Sequence, residues 1–240
     1  MQSSEARQHL QLFRVVVPIF DYEEGGEWGP FIGTGTFVGD PPLLATAHHV
    51  VRGRGSHFAM ALPPSPIRWN MNAFSATLLR YDAEVDLAVL RVDGYSPPFS
   101  FILAREDEIA NNIPVFSFEY GTTQRIAGID HLAPATRMGN VTRVIDLSDR
   151  YGAAGRLALE LSYPALRGAS GAPVISSLNT RLWGIVIANH EYHLLPAQIE
   201  SVTDESEGLH EEIRYLLPQA IAVNVIHLRP LLAGEGGTAV

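Results

Sequence analysis

An all-β architecture is predicted for this chain, and two features of the sequence carry the expectation. Short apolar, β-branched segments recur with turn signals about every 8–12 residues, which is the rhythm of a sandwich or barrel and not of strand–helix alternation. Midway, the charged stretch ILAREDEIANN (102–112) interrupts the series, and a fresh series of the same kind follows it. The length of 240 residues suits one large all-β domain or two small ones sharing an interface.

Residues 1–12 read as a polar lead-in with room for one helical turn. FRVVVPIF (13–20) is apolar and β-branched, the first strand, and DYEEGGEWGP (21–30) is a turn-rich loop. FIGTGTFVG (31–39), LLAT (43–46), SHFAMAL (56–62), AFSATLLRY (73–81) and LAVLRV (87–92) complete the first series. The second runs through IPVFSFEYG (113–121), TRMGNVTRVIDL (136–147), RLALELS (156–162), APVIS (172–176), LWGIVIA (182–188) and YLLPQAIAV (215–223). NVIHLRPLL (224–232) reads as a short terminal helix. Between the last two strands lies the stretch 190–214, whose acids at 200, 204, 205, 207, 211 and 212 mark it as a solvated insertion.

A hydrophobic content of 46% is enough for a buried core. The net charge of −9 and the dispersed basic residues speak against a nucleic-acid partner. They also leave no polybasic run to hold an anionic membrane. With no cysteine, disulfides, thiolate metal sites and cysteine nucleophiles are excluded. MQSSEARQHLQLF has no apolar leader region or cleavage site, and no apolar run reaches about 18 residues. A cytoplasmic protein without a membrane partner is the expectation.

LRGASGAPVIS (166–176) places Ser170 between glycines, ahead of a small residue, a proline and an apolar run. The same string suits a nucleophile or a turn serine. A serine hydroxyl attacks at neutral pH only with a base in hydrogen-bond reach and a third group that orients the base. LLATAHHVV (43–51) offers histidines where an apolar strand turns into a short helical segment. YDAEVDLAVLRV (81–92) offers an aspartate directly before a buried strand, which would hold that acid rigidly.

In the order His, Asp, Ser, these segments resemble the trypsin-like (chymotrypsin-fold) serine proteases, nearest to the cysteine-free HtrA-type branch. GTGTFVGDPPLLATAHHVV resembles the family's glycine-rich strand and its Thr-Ala-x-His-Val element. DLAVLRV resembles the strand led by the family aspartate, GASGAPV the nucleophile loop, and LWGIVIANH the substrate-edge strand. YLLPQAIAVNVIHLRPLL resembles the closing strand and terminal helix, so that the likeness spans roughly residues 13–232. The resemblance implies two six-stranded antiparallel β-barrels and a short C-terminal helix. It divides the chain into a lead-in (1–12), an N-terminal barrel (13–104), a linker (105–112), a C-terminal barrel with its helix (113–232) and a tail (233–240).

By the same resemblance the function is that of a serine endopeptidase, a hydrolase acting on a protein or peptide substrate with no cofactor and no metal. His49 falls on the family histidine and His48 on the variable position before it. Asp86 precedes Leu-Ala and is chosen over Asp82 and Glu84. Ser170 is the nucleophile, and the N–H groups of Gly168 and Ser170 form the oxyanion hole. The substrate pocket is implied at Pro164, Ala165, Leu166 and Arg167 and along Ile187, Ala188 and Asn189. None of these carries a negative charge to pair with a basic substrate side chain. Ala169 stands where many members have an aspartate, which leaves open how the oxyanion loop is held. A state latent until a regulatory protein partner binds is compatible with that, and so is the alternative, a catalytically silent interaction module on the same fold.

Other motifs read as structural. GTGTFVG (33–39) has neither the spacing nor the following helix of a dinucleotide loop. HEYH (190–193) lacks the helical spacing of a zinc pair. A nucleophile-elbow reading of GASGA fails on chain order, which in that fold is serine, acid, histidine.

Overall fold

The computed structural model describes residues 11–22, 28–62, 72–147, 155–193, 202–203, 210–211, 216–234 and 237–239. The first barrel is built from β1 (Val16–Tyr22), β2 (Trp28–Val38), β3 (Leu43–Ala47), β4 (His57–Leu62), β5 (Asn72–Asp82) and β6 (Leu87–Val92). All neighbours are antiparallel. The chain of pairings β4–β1–β2–β3–β6 is closed by β5, which pairs with both β4 and β6. Phe37, Leu44, Phe58, Met60, Leu87 and Leu90 fill it, each essentially inaccessible to solvent. Burying one such side chain stabilises the fold by about 1.5–3 kcal/mol.

The second half contains β7 (Pro114–Glu119), β8 (Gln124–Ile126), β9 (Ile129–His131), β10 (Ala135–Asp146), β11 (Leu157–Leu161), β12 (Pro173–Ser176), β13 (Leu182–His193), β14 (Val202–Thr203), β15 (His210–Glu211) and β16 (Leu216–Asn224). Six of these close a barrel in the order β10–β11–β16–β13–β12–β7. β8 and β9 form a separate hairpin, and β14 pairs with β15. Trp183, Leu159, Leu161 and Ile175 lie in the core, which is continuous with that of the first barrel. The protein is therefore mostly β, with two closed six-stranded antiparallel barrels.

Both the segment between the barrels and the C-terminus tie the halves together. Phe101 bridges to Val38 of the first barrel and Leu103 to Leu182 of the second. The helix Leu228–Ala233 follows a 3-10 turn, Val225–His227, and stops at Gly234 in the left-handed region. It packs back on the first barrel, where the Arg80 guanidinium donates to the Leu231 carbonyl at 3.1 Å. A final strand, β17 (Thr238–Ala239), pairs with β5.

Strand limits move where turns compete. Phe13 is predicted to open the first strand but lies in a turn, because the Arg14 and Val15 N–H groups donate to Gln11 and Leu12 carbonyls. β13 runs past residue 188 to His193, paired throughout with β16, so the predicted insertion 190–214 begins on a hairpin stem. The acidic positions 200, 204, 205, 207 and 212 lie outside the described residues, as do residues 1–10 of the lead-in.

Candidate active site

β3 ends at Ala47, and the chain turns at once into a single helical turn, His48–Val51. β6 pairs with β3 so that Leu87 faces Ala47, which sets the residue before β6 beside that turn. This residue is Asp86, with φ +58, a left-handed conformation that a short polar side chain tolerates. Its carbonyl accepts from the His48 N–H at 3.0 Å. Its Oδ1 accepts from the His49 N–H at 2.8 Å, and its Oδ2 lies 2.6 Å from His49 Nδ1. Both carboxylate oxygens thus grip one residue. A carboxylate accepts, so the imidazole proton belongs on Nδ1, leaving Nε2 as an acceptor. His49 Nε2 lies 2.9 Å from Ser170 Oγ.

Ser170 stands in the turn between β11 and β12, brought by the second barrel against the first. Gly168 and Gly171 take φ values of +98 and +90, which only glycine adopts without strain. At Gly171 a Cβ would also lie 1.8 Å from the Thr34 carbonyl oxygen. The loop is strapped from β2. Thr34 N–H donates to the Ser170 carbonyl at 2.9 Å and Thr34 Oγ1 to the Gly168 carbonyl at 2.8 Å. Thr36 Oγ1 donates to the Gly171 carbonyl at 3.0 Å. With the carbonyls of Gly168 and Ser170 so occupied, the N–H groups of the same two residues make no hydrogen bond within the described protein.

Ala169 is buried, and the acid that lies under this loop comes from β7. Glu119, 1% exposed, is ion-paired with Arg137 at 2.8 Å. Gly121 separates it from the loop so narrowly that a Cβ there would come within 2.9 Å of both Glu119 Oε2 and Leu166 Cβ. Burial pushes the Glu119 carboxyl up, an effect that Arg137 reduces without reversing.

Of the residues implied for substrate binding, Pro164, Ala165 and Leu166 precede the Ser170 turn, and Ile187, Ala188 and Asn189 lie on β13. The Ile187 carbonyl lies 3.5 Å from Ser170 Oγ. The Asn189 amide accepts from Ala165 N–H at 2.7 Å and donates to the Ala165 carbonyl at 2.5 Å. Arg167 is exposed and has no ion pair or hydrogen-bond partner among the described residues.

His48 points away from this chain of contacts. It is 7% exposed and lies flat on Tyr81, with ring centroids 4.3 Å apart and planes 3° apart. Desolvation lowers its pKa. Asp82 accepts from the Glu84 and Val85 N–H groups and so serves the turn before β6. Sequence reasoning missed the Thr34 strap and Glu119. The signal available for Thr34 was the pair of threonines at alternate positions of GTGTF, polar groups on the face of a strand that must find partners when buried.

Comparison with known proteins gives the following. A family model described as the trypsin-like peptidase domain matches residues 33–185. No curated protein matches the chain by sequence. The Rv3671c protease of M. tuberculosis, in its inactive form, shares 22% identity over 93% of this chain and 90% of that chain, with a TM-score of 0.58. The MamO protease domain from Magnetospirillum magneticum shares 17% over 92% and 97%, with a TM-score of 0.59. The HtrA-type protease AlgW, solved with a decapeptide, shares 15% over 96% of this chain and 66% of that chain, with a TM-score of 0.62.

Proposed function

Because the chain belongs to the trypsin-like peptidase family, we propose that it is a serine endopeptidase in which His49 activates Ser170 and Asp86 orients His49. The observation that carries this reading is the unbroken contact chain, 2.6 Å from Asp86 to His49 and 2.9 Å from His49 to Ser170. Two uncommitted N–H donors on the same loop support it.

Ser170 Oγ attacks the carbonyl carbon of a peptide while its proton passes to His49 Nε2. The imidazolium that forms is stabilised by Asp86, which stays ionised. The carbonyl oxygen takes up negative charge against the Gly168 and Ser170 N–H groups. Each such donor is worth about 3 kcal/mol in the transition state. His49 then gives its proton to the leaving amine, and the C–N bond breaks. A water molecule, deprotonated by the same nitrogen, hydrolyses the acyl-enzyme and restores Ser170.

The proposed substrate is a protein or peptide, a reading supported by the decapeptide bound in the structure of the HtrA-type protease AlgW. Thr34 supports the loop without an acid at position 169, so the reading needs no new N-terminus to be generated by cleavage. Incubation of wild type and Ser170→Ala with a peptide library tests it. Internal cleavage by wild type and none by the variant is expected. Equal patterns, or no cleavage by either folded protein, would leave a silent interaction module as the better account.

A further inference from the structure

We propose that Asp130 is a positioning residue for the oxyanion hole, its carboxylate reaching from the β8–β9 hairpin to hold Phe31 against Gly168. The inference rests on the endopeptidase reading above. Gly168 supplies one of the two uncommitted N–H groups, and glycine has the most conformational freedom of any residue. A donor aimed at a developing charge therefore needs restraint from outside the residue. Two groups supply it. Thr34 Oγ1 holds the Gly168 carbonyl at 2.8 Å. On the side where a side chain would project, the Phe31 ring lies so near that a Cβ would come within 2.6 Å of its Cε1. With φ at +98, the α-carbon of Gly168 rests on that ring, and the residue cannot turn towards it without displacing it.

Phe31 is not held by the sheet alone. The β1–β2 register steps from Ile19–Gly33 to Phe20–Phe31, so Ile32 is an extra residue on β2. A bulge of this kind interrupts the ladder, and the backbone groups beside it need other partners. The Phe31 N–H donates to Asp130 Oδ2 at 2.9 Å, a bond between residues 99 positions apart. A bond to an ionised acceptor is roughly twice as strong as a neutral one. The Asp130 side chain is only 12% exposed, and its ion pair with exposed Arg125, at 3.4 Å, is long and contributes little. Leu132, two residues on, packs with the Phe31 ring against the same cluster, Phe20, Ala59 and Ala61. The hairpin thus grips Phe31 by backbone and by ring, and Phe31 passes that hold to Gly168.

The test labels the full chain with a small alkyl fluorophosphonate and follows the adduct by intact mass. Ser170 Oγ bonds to phosphorus, fluoride leaves, the serine proton passes to His49, and the phosphonyl oxygen takes the place of the oxyanion. Circular dichroism gives the folded fraction, by which each rate constant is divided, so that partial unfolding does not count as a loss. Asp130→Ala should lower the rate constant at least roughly tenfold, within the hundredfold that a displacement of about 1 Å costs. Asp130→Asn, whose amide oxygen still accepts the Phe31 N–H, should stay within roughly threefold of wild type. Phe31→Ala should match Asp130→Ala, and the double variant should lose little more than either, since both changes release the same ring. The acidic midpoint of the rate against pH, set by His49, should be the same in every variant. An unchanged rate constant in Asp130→Ala or in Phe31→Ala overturns the inference, as does an equal loss in Asp130→Asn. Losses that multiply in the double variant also overturn it, because Asp130 would then act by a route other than Phe31. A shifted midpoint does so too, since Asp130 would then act on the base. Failure of folded wild type to react at all removes the endopeptidase reading itself.

Discussion

His48 and His49 are neighbours in sequence with opposite surroundings. His49 faces Asp86 and Ser170, whereas His48 is buried against Tyr81. His49→Ala should lower the rate of peptide cleavage by about 10⁴ or more, the cost of spoiling the base alone. His48→Ala leaves a cavity under Tyr81 and should cost about 2 kcal/mol of stability, read by thermal unfolding. Its cleavage rate should stay within roughly tenfold of wild type. Thr34 is a positioning residue. Thr34→Val keeps the shape and the backbone bond to Ser170 but removes the hydroxyl from the Gly168 carbonyl. The Gly168 carbonyl then has no hydrogen-bond partner among the described residues, so kcat should fall by about tenfold or more while KM changes little.

Among the secondary-structure elements, the 3-10 turn Val225–His227 carries a pH dependence. His227 Nε2 accepts from the Leu157 N–H, the first residue of β11, at 3.0 Å. Desolvation lowers its pKa from 6.5 and Arg156 lowers it further, while Asp82 and Asp146 raise it. A depressed histidine favours the folded state above its unfolded value, and that contribution is lost as pH falls through the folded one. The melting temperature should therefore drop as pH is lowered from about 7 towards 5. His227→Gln keeps an acceptor without titrating and should flatten the curve, with a residual slope from His48, which is shifted in the same direction. The barrel strands were legible because β1, β3, β4, β6, β11 and β12 are buried along most of their length, which demands continuous, mostly apolar runs. β8 and β9 were not, since each has three residues and five of the six are exposed, leaving no period to detect. The hairpin is nonetheless tied to the first barrel, because Asp130 on β9 accepts from the Phe31 N–H of β2 at 2.9 Å. The positions of Asp86, His49 and Ser170 were readable from local motifs. The loop's support was not, because Thr34 and Glu119 act through contacts between segments distant in the chain.

In the whole molecule, the proposed chemistry exists only where the two barrels meet. His49 and Asp86 come from the first and Ser170 from the second. Among the groups that register the halves are the Thr34 and Thr36 straps, Tyr120 OH donating to the Val16 carbonyl at 3.1 Å, and Phe13 edge-on to Phe118 at 4.9 Å. Gly171→Ala would drive a methyl into the Thr34 carbonyl and Thr46 Oγ1 at this seam. A cost of about 3 kcal/mol or more is expected, which lowers Tm by roughly 6–12 °C. The central claim is that Ser170 is a nucleophile made reactive by His49 across that seam. Its most direct test is reaction of the folded protein with a fluorophosphonate, followed by peptide mapping in the mass spectrometer. The account predicts one adduct, on Ser170, in wild type and none in His49→Ala. An adduct on another serine, or equal labelling of Ser170 in the two proteins, would contradict it.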